Sequence, residues 1–250
     1  MFYRVIIDTD LDFGRHSVIW RELNVGDRIC AIHQPNFFPW MGYFDKIKHA
    51  DVFVFLDAVA YPKSGSSMGS WVNRVQIDIQ GNPAWIRCPV RRKSGVQLIN
   101  DVRIDDDRAW REKLLKTISL NYKRASKFDS VMPLIIELIE YPSDRLVEFN
   151  INAIKTISTC LGLRCQFVRQ SELSVTGNAT GLLASITKAV GSRVYLAGGG
   201  AAGYQDDDLF AARDVDVRYQ NFVPRPYGEI SRWIEGLSVI DFMMRQGTTE

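Results

Sequence analysis

The stretch that most constrains this chain is residues 28–57, RICAIHQPNFFPWMGYFDKIKHADVFVFLD. It opens with an apolar, strand-like run, which His33-Gln34-Pro35-Asn36 breaks. A short amphipathic segment follows, with Met41, Phe44 and Ile47 on one face. A second apolar run, residues 51–56, closes at Asp57. Strand, polar turn, helix, strand is the pattern of a parallel βαβ unit. In open parallel sheets, ligands bind in the crevice outside the carboxyl ends of the strands. His33 and Asp57 both fall at such ends, so the site is expected here.

Composition limits what the site can be. The chain has 250 residues, 46% apolar and 24% charged, which suits a globular protein that folds without disulfides or metal. Its net charge of +2 comes from interspersed acids and bases and leaves no footprint for nucleic acid. Arg91-Arg92-Lys93 reads as a solvated loop. The four cysteines make no C-x-x-C pair and there are only three histidines, so neither a zinc site nor another cofactor is expected. Buried reduced thiols point to the cytoplasm. No apolar run reaches about 18 residues and no signal peptide is visible, so no membrane span is expected.

Residues 1–27 read as an N-terminal extension to a single α/β domain over 28–250. A glycine- and serine-rich run, residues 64–70, has the flexibility to close over a ligand, although most such runs only connect. Residues 74–79 and 85–90 alternate at period two about Gln80-Gly81-Asn82-Pro83, which predicts a β-hairpin. Residues 96–104 predict a third strand in the same patch. Helices are predicted from an Asp106 or Asp107 cap through Trp110, Leu114 and Ile118, over 128–140, and from Ser143 to the stop at Gly162. Further helices are predicted over 180–190, 205–213 and 233–244, with strands over 164–169, 194–197 and 215–222. The fold class is therefore α/β: a mostly parallel sheet flanked by helices, with an antiparallel hairpin insert.

Three groups of residues carry possible chemistry. A histidine at a strand end can act as general base, and a carboxylate one strand away can orient it. The competing reading of His33 and Asp57 is a hydrogen-bonded strand-end histidine and a capping aspartate. Gln34 and Asn36 suit recognition of a carbonyl or hydroxyl, or equally satisfy the turn that Pro35 makes. Lys63, Asn73 and Arg74 flank the flexible run and fit a phosphate or carboxylate, or are simply solvated. Gly198-Gly199-Gly200 follows a strand at once and leads toward Tyr204 and a helix, so a ligand can approach the backbone there. Its spacing is neither a dinucleotide fingerprint nor a P-loop. Ser66, Ser67 and Ser70 are not in a nucleophile elbow. Cys30 is expected on the strand face opposite His33, which argues against a Cys–His pair.

Taken together, HQPNFFPWMGYFDKI (33–47), DVFVFLD (51–57), WVNR (71–74), YLAGGG (195–200), Tyr204 and LSVID (237–241) resemble the WbqC-like protein family. The resemblance implies an accessory enzyme of bacterial surface-polysaccharide (O-antigen) or natural-product biosynthesis. Such pathways need acyl or aminoacyl groups attached to amino sugars. On that expectation His33 is general base and Asp57 its partner. Gln34, Asn36, Trp40, Tyr43, Lys63, Trp71, Asn73, Arg74, Gly199, Gly200 and Tyr204 bind a small-molecule or sugar-nucleotide substrate. An acyl carrier protein or a CoA thioester is the donor. Two other classes stay open. One is a nucleotidylyltransferase-like or nucleotide-sugar-binding enzyme, against which stands Asn36 where a second histidine would be. The other is a non-catalytic accessory binding protein of the same pathway.

Overall fold

A computed structural model describes residues 28–62, 71–201 and 206–248. The expected N-terminal extension, Lys63 with the serine-rich run, and Tyr204 lie outside the described residues. Five strands form one parallel sheet: β1 (Ile29–His33), β2 (Val52–Phe55), β7 (Gln166–Arg169), β8 (Val194–Ala197) and β9 (Asp216–Tyr219), in the order β7-β2-β1-β8-β9. The chain thus adds strands outward from β1 through β2 to β7, then returns to the other side of β1 for β8 and β9. The expected α/β fold is what the structure has.

Helix α1 (Met41–Lys48) connects β1 to β2. The whole hairpin-and-helix region lies within the next crossover, from β2 to β7. It comprises β3 (Arg74–Ile79) paired antiparallel with β4 (Asn82–Arg87), and β5 (Val90–Arg91) paired with β6 (Arg103–Ile104). Three helices follow: α2 (Trp110–Tyr122), α3 (Phe128–Glu140) and α4 (Leu146–Cys160). Helices α5 (Ala179–Ala189) and α6 (Asp207–Ala211) flank β8, and α7 (Val239–Gln246) ends the described chain.

Strand alternation divides the core into two layers. Ala31, Phe53, Phe55 and Leu196 face the larger layer with α1, α2, α3, α4 and α7. Cys30, Ile32, Val52, Val54, Tyr195 and Ala197 face the smaller one with α5 and α6. Both sheet faces are covered, which explains why β2 is apolar at every position.

The structure corrects several boundaries. The hairpin turn is the pair Gln80-Gly81, at φ 55° and 83°, and Pro83 lies within β4. Two residues with positive φ match the twist of the flanking strands, so the tight turn displaces the looser one. The third strand expected over 96–104 shrinks to Arg103–Ile104 and joins β5 instead of the hairpin. Helix α2 starts at Trp110, because Ala109 at φ 46° separates it from a 3-10 turn at Asp106–Arg108. The last helix starts at Val239, not near Trp233. Gly236 takes φ 77°, and the Ser238 hydroxyl accepts from Ile240 N at 3.2 Å as an N-terminal cap.

Candidate functional site

The candidate site lies where the strand order reverses. β1 pairs with β2 through His33↔Phe55, but with β8 only as far as Ala31↔Leu196. Beyond that point β1 and β8 part, leaving the crevice in which doubly wound sheets bind ligands. His33-Gln34-Pro35-Asn36 leaves β1 on one side of it, and Gly198-Gly199-Gly200 leaves β8 on the other.

Pro35 and the buried aromatic pair Phe37–Phe38 shape the turn after β1. Phe38 adopts φ 39°, an uncommon value for a non-glycine residue. Its backbone is held from a distant segment: the Ser238 hydroxyl donates to Phe38 O at 2.7 Å, and Val239 N donates to Pro39 O at 2.9 Å. Phe37 and Phe38 pack on Phe149 of α4. The next residue of α4, the fully buried Asn150, donates to Pro35 O at 2.8 Å and to Val72 O at 2.7 Å. Phe37 N also donates to Trp71 O at 3.0 Å. These bonds draw the segment Trp71–Arg74 up to the HQPN turn, although no strand pairing connects them.

His33 is half-buried, and its ring meets the edge of Tyr43 with centroids 4.9 Å apart. Nδ1 lies 3.1 Å from Gln34 O, and the Tyr43 hydroxyl donates to the same oxygen at 3.0 Å. A carbonyl oxygen only accepts, so Nδ1 carries the proton and Nε2 keeps its lone pair. Burial, with Lys46 adding to it, pushes His33 down to about 4. The imidazole is therefore neutral at physiological pH.

Asp57 stands at the end of β2, buried, with its carboxylate on another partner. Ser171 N donates to Oδ1 at 2.9 Å and Ser171 Oγ to Oδ2 at 2.7 Å. The aspartate thereby joins the end of β2 to the turn that follows β7, and the His33 imidazole is oriented by Gln34 O.

The remaining residues fall into two groups. Trp71 and Trp85 are surface-exposed with ring centroids 5.2 Å apart, and the Arg74 guanidinium lies 4.3 Å from the Trp85 ring centroid. The Asn73 side-chain amide donates to Cys88 O at 3.0 Å, leaving its second N–H for other acceptors. Across the crevice, Gln220 after β9 donates to Gly42 O at 2.8 Å and to Asp45 Oδ2 at 2.6 Å. A Cβ on Gly199 would stand 3.1 Å from Gln220 O, so glycine is what lets these segments approach. Trp40 packs edge-on to Phe222. Asn36 Oδ1 and Arg74 Nε are buried and have no hydrogen-bond partner among the described residues. Such atoms are costly unless a ligand or water satisfies them.

Gly42 lies directly under Trp40, where a Cβ would be 2.5 Å from the indole. Gly42→Ala is expected to displace the indole and to lower stability by about 1 kcal/mol in urea denaturation. Overpacking costs roughly 1–3 kcal/mol, and the gain in helix propensity returns about 1 kcal/mol.

Sequence reasoning missed Asn150, Ser171, Trp85, Lys46 and Gln220. For Lys46 a signal existed: it shares a helical face with Tyr43, Ile47 and Ala50. The others carry no local mark, because their partners are distant in sequence. Among the described residues no cluster of His, Cys, Asp or Glu could hold a metal ion, and no helix is long and apolar enough to cross a membrane.

A five-stranded parallel sheet with a polar turn and a glycine turn at its point of reversal defines a doubly wound α/β protein. The model of the WbqC-like protein family matches residues 34–250, and the chain belongs to that family. It is 25% identical over 221 residues to a Mycobacterium tuberculosis protein named Uncharacterized protein Rv1507c, covering 87% of this chain and 93% of that one. No solved structure matches.

Proposed function

We propose that this protein transfers an acyl or aminoacyl group from a thioester to the amino group of a sugar nucleotide. The observation that carries the reading is His33: a neutral imidazole at the switch-point crevice, with Nδ1–H tied to Gln34 O and Nε2 free to accept. In the proposed step the amine lone pair attacks the thioester carbonyl and forms the C–N bond. The proton lost from nitrogen passes to His33 Nε2. The C–S bond then breaks and the proton goes on to the departing thiolate. A ring held down to about 4 is a weak base. It takes the proton only after attack on the carbonyl has made the nitrogen of the adduct far more acidic than a free ammonium.

The side-chain amide of Gln34 or Asn73 donates to the oxyanion. Trp71 with its neighbour Trp85 offers a stacking surface for a sugar ring or base, and Arg74 a partner for phosphate. Asn36, Trp40, Tyr43, Gly199 and Gly200 are assigned to binding of the nucleotide. Lys63 and Tyr204 are assigned to the same substrate. Asp57 acts through Ser171, as a positioning residue for the rim. The donor is a CoA thioester or an acyl carrier protein, and the pathway is surface-polysaccharide or natural-product assembly.

The test is acyl transfer from acyl-CoA to nucleoside-diphosphate amino sugars, followed by mass spectrometry. His33→Ala should cut turnover by roughly 100- to 10,000-fold. Undiminished turnover would refute the role of His33, and no product from any amino sugar with CoA or carrier-bound donors would refute the reaction.

One observation favours a second reading, in which the crevice binds a nucleotide for nucleotidyl transfer: the strand order reverses at β1, as in dinucleotide-binding sheets. Thermal-shift measurements with nucleoside triphosphates against nucleotide sugars discriminate the two.

A further inference from the structure

One buried charge in the crevice has no part in the step above. Lys46 of α1 is only 3% exposed. Its ammonium donates to Ile32 O at 3.0 Å and lies 5.8 Å from the centroid of the Tyr195 ring. Tyr195 belongs to the smaller apolar layer, whereas α1 packs in the larger one. The lysine therefore reaches into the gap that opens where β1 leaves β8. His33 O accepts from Leu56 N on the β2 side, so strand alternation turns Ile32 O toward that gap. A carbonyl that would otherwise lose its ladder partner receives the ammonium.

The Ile32 carbonyl is bonded directly to His33 N, so the positive charge stands one peptide away from the imidazole. The other groups facing the ring are the Tyr43 hydroxyl and Gln34 O, which bond to each other. No carboxylate among the described residues offsets the charge there. Asp57 is held by Ser171, and Asp45 by Gln220 and His49. Facing Lys46 itself are the Tyr195 ring and the Cys30 thiol, which burial keeps uncharged by raising it to about 12. Burial lowers Lys46 to about 8, so it is mostly charged at neutral pH.

We infer that Lys46 is a positioning residue: from the gap between β1 and β8 its ammonium adds to burial in keeping the His33 ring neutral, while Gln34 O holds the proton on Nδ1 and leaves Nε2 as the acceptor. The inference deepens the reading of His33 as the proton acceptor and rests on it, but its test needs no turnover.

The test is a histidine ring titration by nitrogen-15 NMR on the full chain, with His33→Gln identifying the signal. In the wild type His33 should titrate at about 4 and show the Nδ1–H tautomer at neutral pH. Lys46→Met should raise the midpoint by about one pH unit, and Lys46→Arg, which keeps the charge, should leave it low. A Lys46→Met midpoint equal to that of the wild type would overturn the inference. If Lys46→Met does not fold, the wild type is read instead through pH 8, where Lys46 discharges. The His33 nitrogen shifts should then move in step with the lysine titration, and immobility would overturn the inference. These outcomes concern Lys46 alone, whereas the acyl-transfer assay concerns His33, so the two readings fail separately.

Discussion

Asn150→Ala is expected to destabilise the protein by about 3–5 kcal/mol and to abolish ordered binding at the crevice. Asn150 is fully buried on α4 and spends both amide hydrogens on backbone carbonyls, Pro35 O at 2.8 Å and Val72 O at 2.7 Å. Truncation leaves two buried acceptors unsatisfied, at about 1–3 kcal/mol each, and adds a small cavity. Those carbonyls belong to the HQPN turn and to the segment carrying Trp71, Asn73 and Arg74. The loss therefore falls on the joint between the two halves of the site. Urea denaturation measures the first effect and ligand titration the second. Asn150→Asp separates hydrogen bonding from packing. Aspartate has the same shape but no amide donors, so it should be at least as damaging as alanine. A mild effect of the aspartate would show that packing alone matters.

Arg245→Met is expected to cost about 2–4 kcal/mol. Arg245 on α7 donates through Nη2 to Asp78 on β3 at 2.7 Å and through Nε to Asp241 at 3.0 and 3.2 Å. Tyr122 of α2 donates to Asp241 at 2.8 Å, and its hydroxyl accepts from Asp78 N. Hairpin, α2 and α7 thus share one polar network, and Asp241 is almost fully buried within it. Removing Arg245, the only arginine of the network among the described residues, leaves a buried carboxylate uncompensated, which costs about 3–5 kcal/mol in a dry interior. The lower figure allows for solvent screening, because the arginine side chain is 24% exposed. Adding Asp241→Asn to Arg245→Met should recover part of the loss, since it removes the unpaired charge. If the two losses simply add in denaturation experiments, the pair is not coupled.

Because the same C-terminal segment also holds the HQPN turn, damage to α7 should reach the site. Ser238 caps the helix and at the same time donates to Phe38 O, at the strained residue of the turn. This explains why the sequence blocks resembling the family, at residues 33–47, 71–74 and 237–241, are far apart in the chain. Each supplies one wall of the same joint.

Local elements were largely legible in the residues. Apolar periodicity, a local property, predicts helix α3 and strand β8 to their ends and places the start of α4 a turn early. Boundaries failed where one residue takes an unusual backbone angle, as at Ala109 and Gly236. His33 at the carboxyl end of a strand was also legible, since the turn formed by Gln34, Pro35 and Asn36 marks where β1 stops.

The partners of those residues were not. Asp57 was legible as a strand-end carboxylate, but only the return of the chain as β7 brings Ser171 to it. The sequence by itself determined most of the strands and helices, the family and the position of the polar turn, because side-chain periodicity and turn chemistry act over a few residues. Only the tertiary structure decided that β8 parts from β1 beside His33, that Lys46 fills the gap, and that Asn150 fastens the two halves of the site. Those contacts join segments brought together by the burial of both sheet faces, and no local pattern records which distant segment will arrive.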